Sequence, residues 1–186
     1  MVDLPIPNNQ MVTVMVAQTT FAVVKTPGKS FRIDYVEKAE VCLKPGMRGE
    51  FISCLEHPLL LGYNGGCADV YINSQPKDSQ RLFIEIQEQV QAIFQGWRDW
   101  RSVLCGKGEA AEQWLRTNLN DGSGMLLEDA PASVAKAVMQ SCAKHGVLTT
   151  VFDVTESDSQ ATPAFHLLLI GDGGYVIAQD FRFAEL

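Results

Sequence analysis

The stretch that decides the fold is residues 76–106, which read PKDSQRLFIEIQEQVQAIFQGWRDWRSVLCG. Along it, seven apolar side chains recur at steps of four and three residues: Leu82, Ile86, Val90, Ile93, Trp97, Trp100 and Leu104. This spacing places them on one stripe of a helix. Asp78 or Ser79 is suited to cap the first turn, and Gly106 is suited to the left-handed conformation past the end. The pattern therefore predicts a long central helix over about 78–104, on which the sheets pack.

The chain before this helix is predicted to hold an irregular arm, 1–10, and a β-rich half, 11–73. Valines at positions 12, 14 and 16 alternate with Met11, Thr13 and Met15, which predicts a first strand. Short apolar runs predict further strands at 21–24, 51–55, 59–63 and 68–72. The clearest strand is 31–44, where apolar residues occupy odd positions and polar residues even ones. Its alternation fails at Glu37, so we expect a bend there. Its wet face should contain Arg32, Asp34, Lys38 and Glu40.

The chain after residue 104 predicts two shorter helices and a C-terminal β-meander. A helix over 109–119 is followed by a joint at Asp121-Gly-Ser-Gly, and Asp129 opens a second helix that ends at Gly146. The segment 147–154 is apolar on both faces, which predicts a central strand. An acidic loop, 155–162, leads to strands at 165–170 and 175–183, joined by a glycine-rich hairpin turn. The helical segment is thus 78–146 and the meander 147–186. The fold class is α+β with mostly antiparallel sheets, in a single domain of residues 1–186.

Composition excludes several functions. The chain has 186 residues and a net charge of −7, and its Lys and Arg residues occur only in ones and twos. An anionic chain without a basic patch repels phosphate backbones and acidic lipid surfaces, so we expect no nucleic-acid partner and no membrane partner. Five dispersed cysteines indicate free thiols in a reducing compartment. With no signal peptide and no apolar run of about 18 residues, the expected location is cytoplasmic.

Motifs that carry chemistry are weak in this sequence. Two Cys-x-x-His pairs, Cys54 with His57 and Cys142 with His145, could together supply four zinc ligands. On an extended segment the first pair would point to opposite faces, so we predict no metal. No phosphate-binding loop or dinucleotide fingerprint occurs, so no cofactor is expected. The five cysteines and three histidines permit many nucleophile pairs, but no local signature selects one.

The most unusual cluster is residues 96–101, which read GWRDWR. Tryptophan and arginine are enriched at interface hot spots. Trp97 continues the apolar stripe and should be core, whereas Trp100 lies nearer the helix end. We therefore select Trp100 and Arg101 as the candidate binding residues. The leading hypothesis is a non-catalytic module that binds a partner protein or a small ligand, or that associates with itself. The alternative is an enzyme, thiol- or histidine-based, whose site is assembled from distant residues.

Overall fold

The computed structural model describes residues 5–106, 109–153, 165–171 and 173–186. The chain divides into two compact units, one formed by Met1–Leu60 with Ala161–Leu186 and one by Leu61–Gln160. We call them the barrel unit and the helical unit. Helices and antiparallel strands together confirm the α+β class. The single domain expected from chain length stays a prediction. In the described part of the chain, no helix is long and apolar enough to cross a membrane.

The barrel unit is built from strands that pair with both neighbours. These are β1 (Gln10–Ala17), β2 (Phe21–Thr26), β3 (Lys29–Cys42), β4 (Arg48–Cys54), β8 (His166–Ile170) and β9 (Gly174–Glu185). They close into an antiparallel barrel of six strands in the order β1-β2-β3-β9-β8-β4. Pairing of β1 with β4 completes the ring. Closure satisfies the backbone groups that an open sheet would leave unpaired at its edges.

The long strand predicted at 31–44 is confirmed as β3, with bounds shifted by two residues. Glu37 has a φ of 48°, a left-handed conformation that interrupts the pleat. Its pairing with β9 shifts register between Lys38 and Glu40. The strand therefore bends where the alternation of its sequence fails. On its predicted wet face, Arg32 and Lys38 are exposed.

The interior of the barrel is filled by apolar side chains. They include Val12 and Val14 of β1, Phe31 and Ile33 of β3, and Phe51 of β4. Ile6 precedes β1 but is fully buried in the same core, so the described part of the predicted arm packs on the barrel at this residue. Alternation along each strand sends one set of side chains inward and leaves the other set on the outer surface.

The helical unit contains a sheet with helices on it. Its elements are α1 (Leu61–Asn64), β5 (Cys67–Ile72), α2 (Ser79–Phe94), α3 (Glu109–Asp121), β6 (Gly124–Pro131), α4 (Ala132–Lys144) and β7 (Thr149–Asp153). The three-stranded sheet has the order β6-β5-β7, and every pair in it is antiparallel. Helix α2 packs on α3 and α4, and its buried residues join those of the sheet in one core.

The predicted long central helix is wrong: α2 ends at Phe94. Asp78 caps its start, accepting a hydrogen bond from the backbone N–H of Arg81 at 2.9 Å. At the other end Gln95 and Gly96 have φ values of 51° and 80°. Two successive left-handed residues cannot continue a right-handed helix. Downstream, a 3₁₀ turn at Trp100–Val103 returns the chain to the core.

Other predicted elements also need correction. The segment 59–63, expected as a strand, forms a 3₁₀ turn at Pro58–Leu60 and then α1. Within the supposed helical segment 78–146, β6 occupies the stretch assigned to a joint and the start of a helix, so α4 begins at Ala132. The strand expected to be central, β7, lies at the edge of its sheet. It pairs with β5 and belongs to no meander, whereas the β8–β9 hairpin is confirmed. The predicted acidic loop at 155–162 lies outside the described residues.

Candidate functional site

A groove lined by described residues lies on the outer face of the barrel. It has a volume of about 460 Å³ and is lined by Met11, Val12, Thr13, Met15, Lys25, Thr26, Pro27 and Arg48. Strand β1 supplies half of these residues. Because Val12 and Val14 point into the barrel core, Met11 and Thr13 point outward; Met15 lies at a register shift between Val14 and Val16 and lines the same groove. Two of these are large and apolar: Met11 is 55% exposed and Met15 is 51% exposed.

A row of polar side chains crosses β1 between the two methionines. Thr13 is paired with Lys25 of β2 on one side and with Arg48 of β4 on the other. Directly paired residues share one face of a sheet, so all three side chains stand on the outer surface. With neighbouring strands about 4.8 Å apart, the two cationic residues start about 10 Å from each other. The hydroxyl of Thr13 lies between them.

Both cations of this row are available to a ligand. Lys25 and Arg48 are exposed, and within the described ranges neither makes a salt bridge or a side-chain hydrogen bond. No acidic residue is among the described residues that line the groove. The nearest carboxylate along the strands is Glu50, the cross-strand partner of Met11. The groove is therefore a local cationic and apolar surface on a chain whose net charge is −7.

Close backbone contacts set the position of β4, which carries Arg48. An ideal Cβ on Gly49 would lie 2.1 Å from the Cα atom of Gly171, and one on Gly171 would lie 2.3 Å from the carbonyl oxygen of Arg48. Only glycine permits this approach, and Gly171 also has a φ of 60°. On the other side, Val14 donates its backbone N–H to the carbonyl oxygen of Met47 at 2.8 Å. These contacts fix Arg48 opposite Thr13.

A thiol-based active site gains no support from the described cysteines. Burial raises the pKa of Cys54, Cys67 and Cys105, and it raises the pKa of Cys142 to about 12. A cysteine nucleophile needs the opposite shift, because the thiolate is the reactive form. Cys142 is also fully buried, so a substrate could not reach it.

The most perturbed carboxylate belongs to a clamp between two helices. Glu85 of α2 accepts hydrogen bonds from Lys144 Nζ at 3.0 Å and lies 3.1 Å from His145 Nε2, at the end of α4. The hydrogen bond with Lys144, and after it the one with His145, lowers the pKa of Glu85 from its usual 4.5 to about 2. Ser141 precedes His145 by one helical turn, but it is only 1% exposed and cannot meet a substrate. The cluster resembles a catalytic triad in composition, but its serine is buried, so the geometry supports a contact between the two helices.

The sequence-predicted binding residues lie in the helical unit. Trp100 is 5% exposed and packs edge-to-face on Phe83, with ring centroids 5.9 Å apart. Arg101 forms a salt bridge with Asp99 at 2.7 Å and a longer one with Glu112 at 3.7 Å. These contacts place Trp100 in the core and hold Arg101 in an ion-pair network. Binding itself is untested, so the assignment of this pair stays a prediction.

The two Cys-x-x-His pairs lie in different units. Cys54 and His57 belong to the barrel unit, and Cys142 and His145 to the helical unit. His57 accepts the backbone N–H of Leu59 on Nδ1 at 3.2 Å, and burial lowers its pKa. Among the described residues, no group of three or more His, Cys, Asp or Glu side chains could hold a metal ion.

Comparison with protein-family models, with curated proteins and with solved structures finds no match for this chain. The candidate site therefore depends on geometry alone. Sequence reasoning missed the groove, although β1 carried one signal: apolar residues occupy both of its alternating sets. In a strand with one wet face, methionines at positions 11 and 15 are out of place, and exposed apolar clusters mark binding surfaces. No sequence pattern pointed to Lys25 or Arg48, because only the pairing of their strands with β1 brings the two side chains together.

Proposed function

We propose that this chain is a non-catalytic binding module whose barrel groove takes an acidic segment of a partner protein that also carries apolar side chains. The single observation behind the proposal is the row Lys25–Thr13–Arg48 set between Met11 and Met15. The lysine and arginine suit carboxylates of the segment, and the methionines suit its apolar side chains.

Charge complementarity supports an acidic partner over a basic one. The lining contains two cations and no described acid, so a carboxylate entering the groove meets attraction from both sides. An arginine fork and a threonine hydroxyl also supply directed hydrogen-bond donors. The two methionines suit partner segments whose apolar side chains differ in shape, because the unbranched, polarizable side chain of methionine adapts to irregular apolar surfaces.

A binding measurement with defined peptides tests the proposal. The probe is a fluorescently labelled peptide that alternates aspartate with leucine, compared with one that alternates lysine with leucine. We expect fluorescence anisotropy to show binding of the acidic peptide only. Replacing Lys25→Glu together with Arg48→Glu should weaken that binding by about tenfold or more, which corresponds to about 1.4 kcal/mol.

The matched control separates a local site from general electrostatics. Lys38→Glu with Lys44→Glu changes the net charge by the same amount, at exposed positions that do not line the groove. We expect this variant to bind the acidic peptide as the unmodified protein does, apart from a small salt-dependent change. Equal weakening in the two variants would contradict a specific groove. Sedimentation of the free protein provides a further test: a dimer that the groove variant abolishes would identify the occupant as a second copy of this chain.

A further inference from the structure

Two methionines of the groove stand apart from the other described methionines. Met11 is 55% exposed and Met15 is 51% exposed. By contrast, Met47 packs on the barrel core and Met139 on the core of the helical unit, and Met125 is half-buried. The sulfur of Met47 also accepts the backbone N–H of Lys44 at 3.1 Å. Among the methionines that the structure describes, those of the groove are therefore the most accessible to oxidants in solution.

We propose that Met11 and Met15 form an oxidation site through which peroxide closes the groove, an inference that rests on the proposed binding function. In the reaction, a sulfur lone pair attacks one oxygen of hydrogen peroxide. An S–O bond forms while the O–O bond breaks, and the departing oxygen leaves as water after a proton shift. The sulfur loses two electrons, the peroxide gains them, and each methionine becomes a sulfoxide.

Oxidation would change both features that make the groove suitable for an acidic, apolar segment. A sulfoxide is polar, so leucine-like side chains of the segment lose their apolar contacts. Its oxygen is also a strong hydrogen-bond acceptor within the same groove as Lys25 and Arg48. Met11 lies two positions from Thr13 along β1 and shares its outer face, and Met15, at the register shift between Val14 and Val16, lines the same groove. The new acceptors therefore compete with the carboxylates of the partner.

Of the five cysteines, only the exposed Cys42 could compete with the groove methionines for peroxide. Burial is the largest cause of a raised pKa for Cys54, Cys67, Cys105 and Cys142, which keeps these thiols protonated and slow toward peroxide. Cys42 is exposed, so the test has to separate its oxidation from that of the methionines.

The first measurement needs no partner. The full chain is treated with graded hydrogen peroxide, and peptide mapping by mass spectrometry follows oxidation at each methionine and at Cys42. We expect Met11 and Met15 to oxidise well before Met47, Met125 and Met139. Equal rates at Met11, Met15, Met47, Met125 and Met139, or faster reaction at the packed ones, would overturn the proposed site.

The second measurement follows binding of the labelled aspartate–leucine peptide before and after treatment. We expect oxidation of both groove methionines to weaken binding by about tenfold, because a bound segment can no longer bury two apolar thioether ends. Incubation with the two methionine sulfoxide reductases and dithiothreitol should restore it. Each variant is compared with itself before treatment, so its starting affinity does not matter.

Three variants make the outcome decisive. The double change Met11→Leu and Met15→Leu should remove the effect of peroxide, whereas Met139→Leu and Cys42→Ser should retain it. An unchanged affinity after complete oxidation at both groove positions would overturn the switch while leaving the binding function intact. A peroxide effect that persists in the double leucine variant would do the same. If the untreated protein does not bind the acidic peptide at all, the proposed function itself fails, and the switch fails with it.

Discussion

Removing the indole of Trp100 distinguishes a core role from a binding role. This side chain is 5% exposed and sits in a cluster with Val103, Leu104 and Phe83. Replacing a buried tryptophan with alanine costs about 3–5 kcal/mol, because apolar burial is lost and a cavity remains. The edge-to-face contact with Phe83 accounts for about 0.5–1.5 kcal/mol of this. Domains are stable by only about 5–15 kcal/mol, so Trp100→Ala should be a severe change.

Urea unfolding followed by tryptophan fluorescence is the appropriate assay. The three tryptophans all lie within Leu61–Gln160, so the signal reports on the helical unit and two reporters remain in the variant. At a slope near 2 kcal/mol per molar urea, a loss of about 4 kcal/mol lowers the midpoint by about 2 M. Trp97→Ala is the matched control: Trp97 lies beyond the end of α2 and is half-buried, so we expect a cost of about 1–2 kcal/mol.

A double-mutant cycle isolates the contact between the two rings. Arg116 stacks on Phe83, with its guanidinium carbon 3.6 Å from the ring centroid, so Phe83→Leu alone disturbs two interactions. The double-mutant cycle with Trp100→Leu cancels the contribution of the Arg116 contact. It should leave a coupling energy between Phe83 and Trp100 of about 0.5–1.5 kcal/mol. A Trp100→Ala protein within 1 kcal/mol of the original stability would refute the core placement. If it also lost a partner, the sequence-based choice of Trp100 as a binding residue would be right.

Two further predictions concern the backbone contact and the helix clamp. Gly49→Ala places a methyl group 2.1 Å from the Cα atom of Gly171, so we expect loss of the folded barrel, measured by circular dichroism. Alanine at exposed Gly28 meets no atom within 4 Å and should cost only the strain of its φ of 91°, so the barrel should still fold. Glu85→Gln should lower stability by about 1 kcal/mol at neutral pH. Because the folded pKa of Glu85 is lowered from 4.5 to about 2, its contribution is complete above pH 4.5 and is lost as the pH falls toward 2. The stability curves of the two proteins should therefore converge in acid, and a constant gap would contradict the ion pair.

The strands whose sequences alternate could be predicted from the sequence with nearly correct bounds. β3 is the clearest case, since even its bend at Glu37 was visible as a break in alternation. Local patterning determined these elements because each has one face in a core and the other in water. Closure of the barrel could not be predicted in the same way. It depends on pairing between β1 and β4 and between β3 and β9, and the pairing of distant strands leaves no periodic signal.

The long helix shows how a correct pattern can give a wrong element. Its stripe continued in phase through Trp97, Trp100 and Leu104, and the last two are buried. The prediction that Trp97 belongs to the core is wrong: it follows the break after α2 and is only half-buried. Trp100 and Leu104 reach the core by a 3₁₀ turn and an isolated bridge from Leu104 to Leu127. Burial periodicity reports which side chains are inside, not which backbone conformation brings them there. The stop signal was Gly96, whose conformational freedom permits the reversal after Gln95.

The groove could not be predicted from the sequence because its side chains come from three different strands. Its cations are separated by 23 positions in the chain, and each is an ordinary exposed residue on its own strand. Only the registers Thr13–Lys25 and Thr13–Arg48 make them a pair. The methionines could have been noticed, because an exposed strand position gains nothing in stability from a large apolar side chain. When such residues appear on the wet face of a strand, the polar side chains that line the same groove determine what kind of ligand the surface suits. Here these include Lys25 and Arg48, one on either side of Thr13, which is why an acidic partner is the proposal to test first.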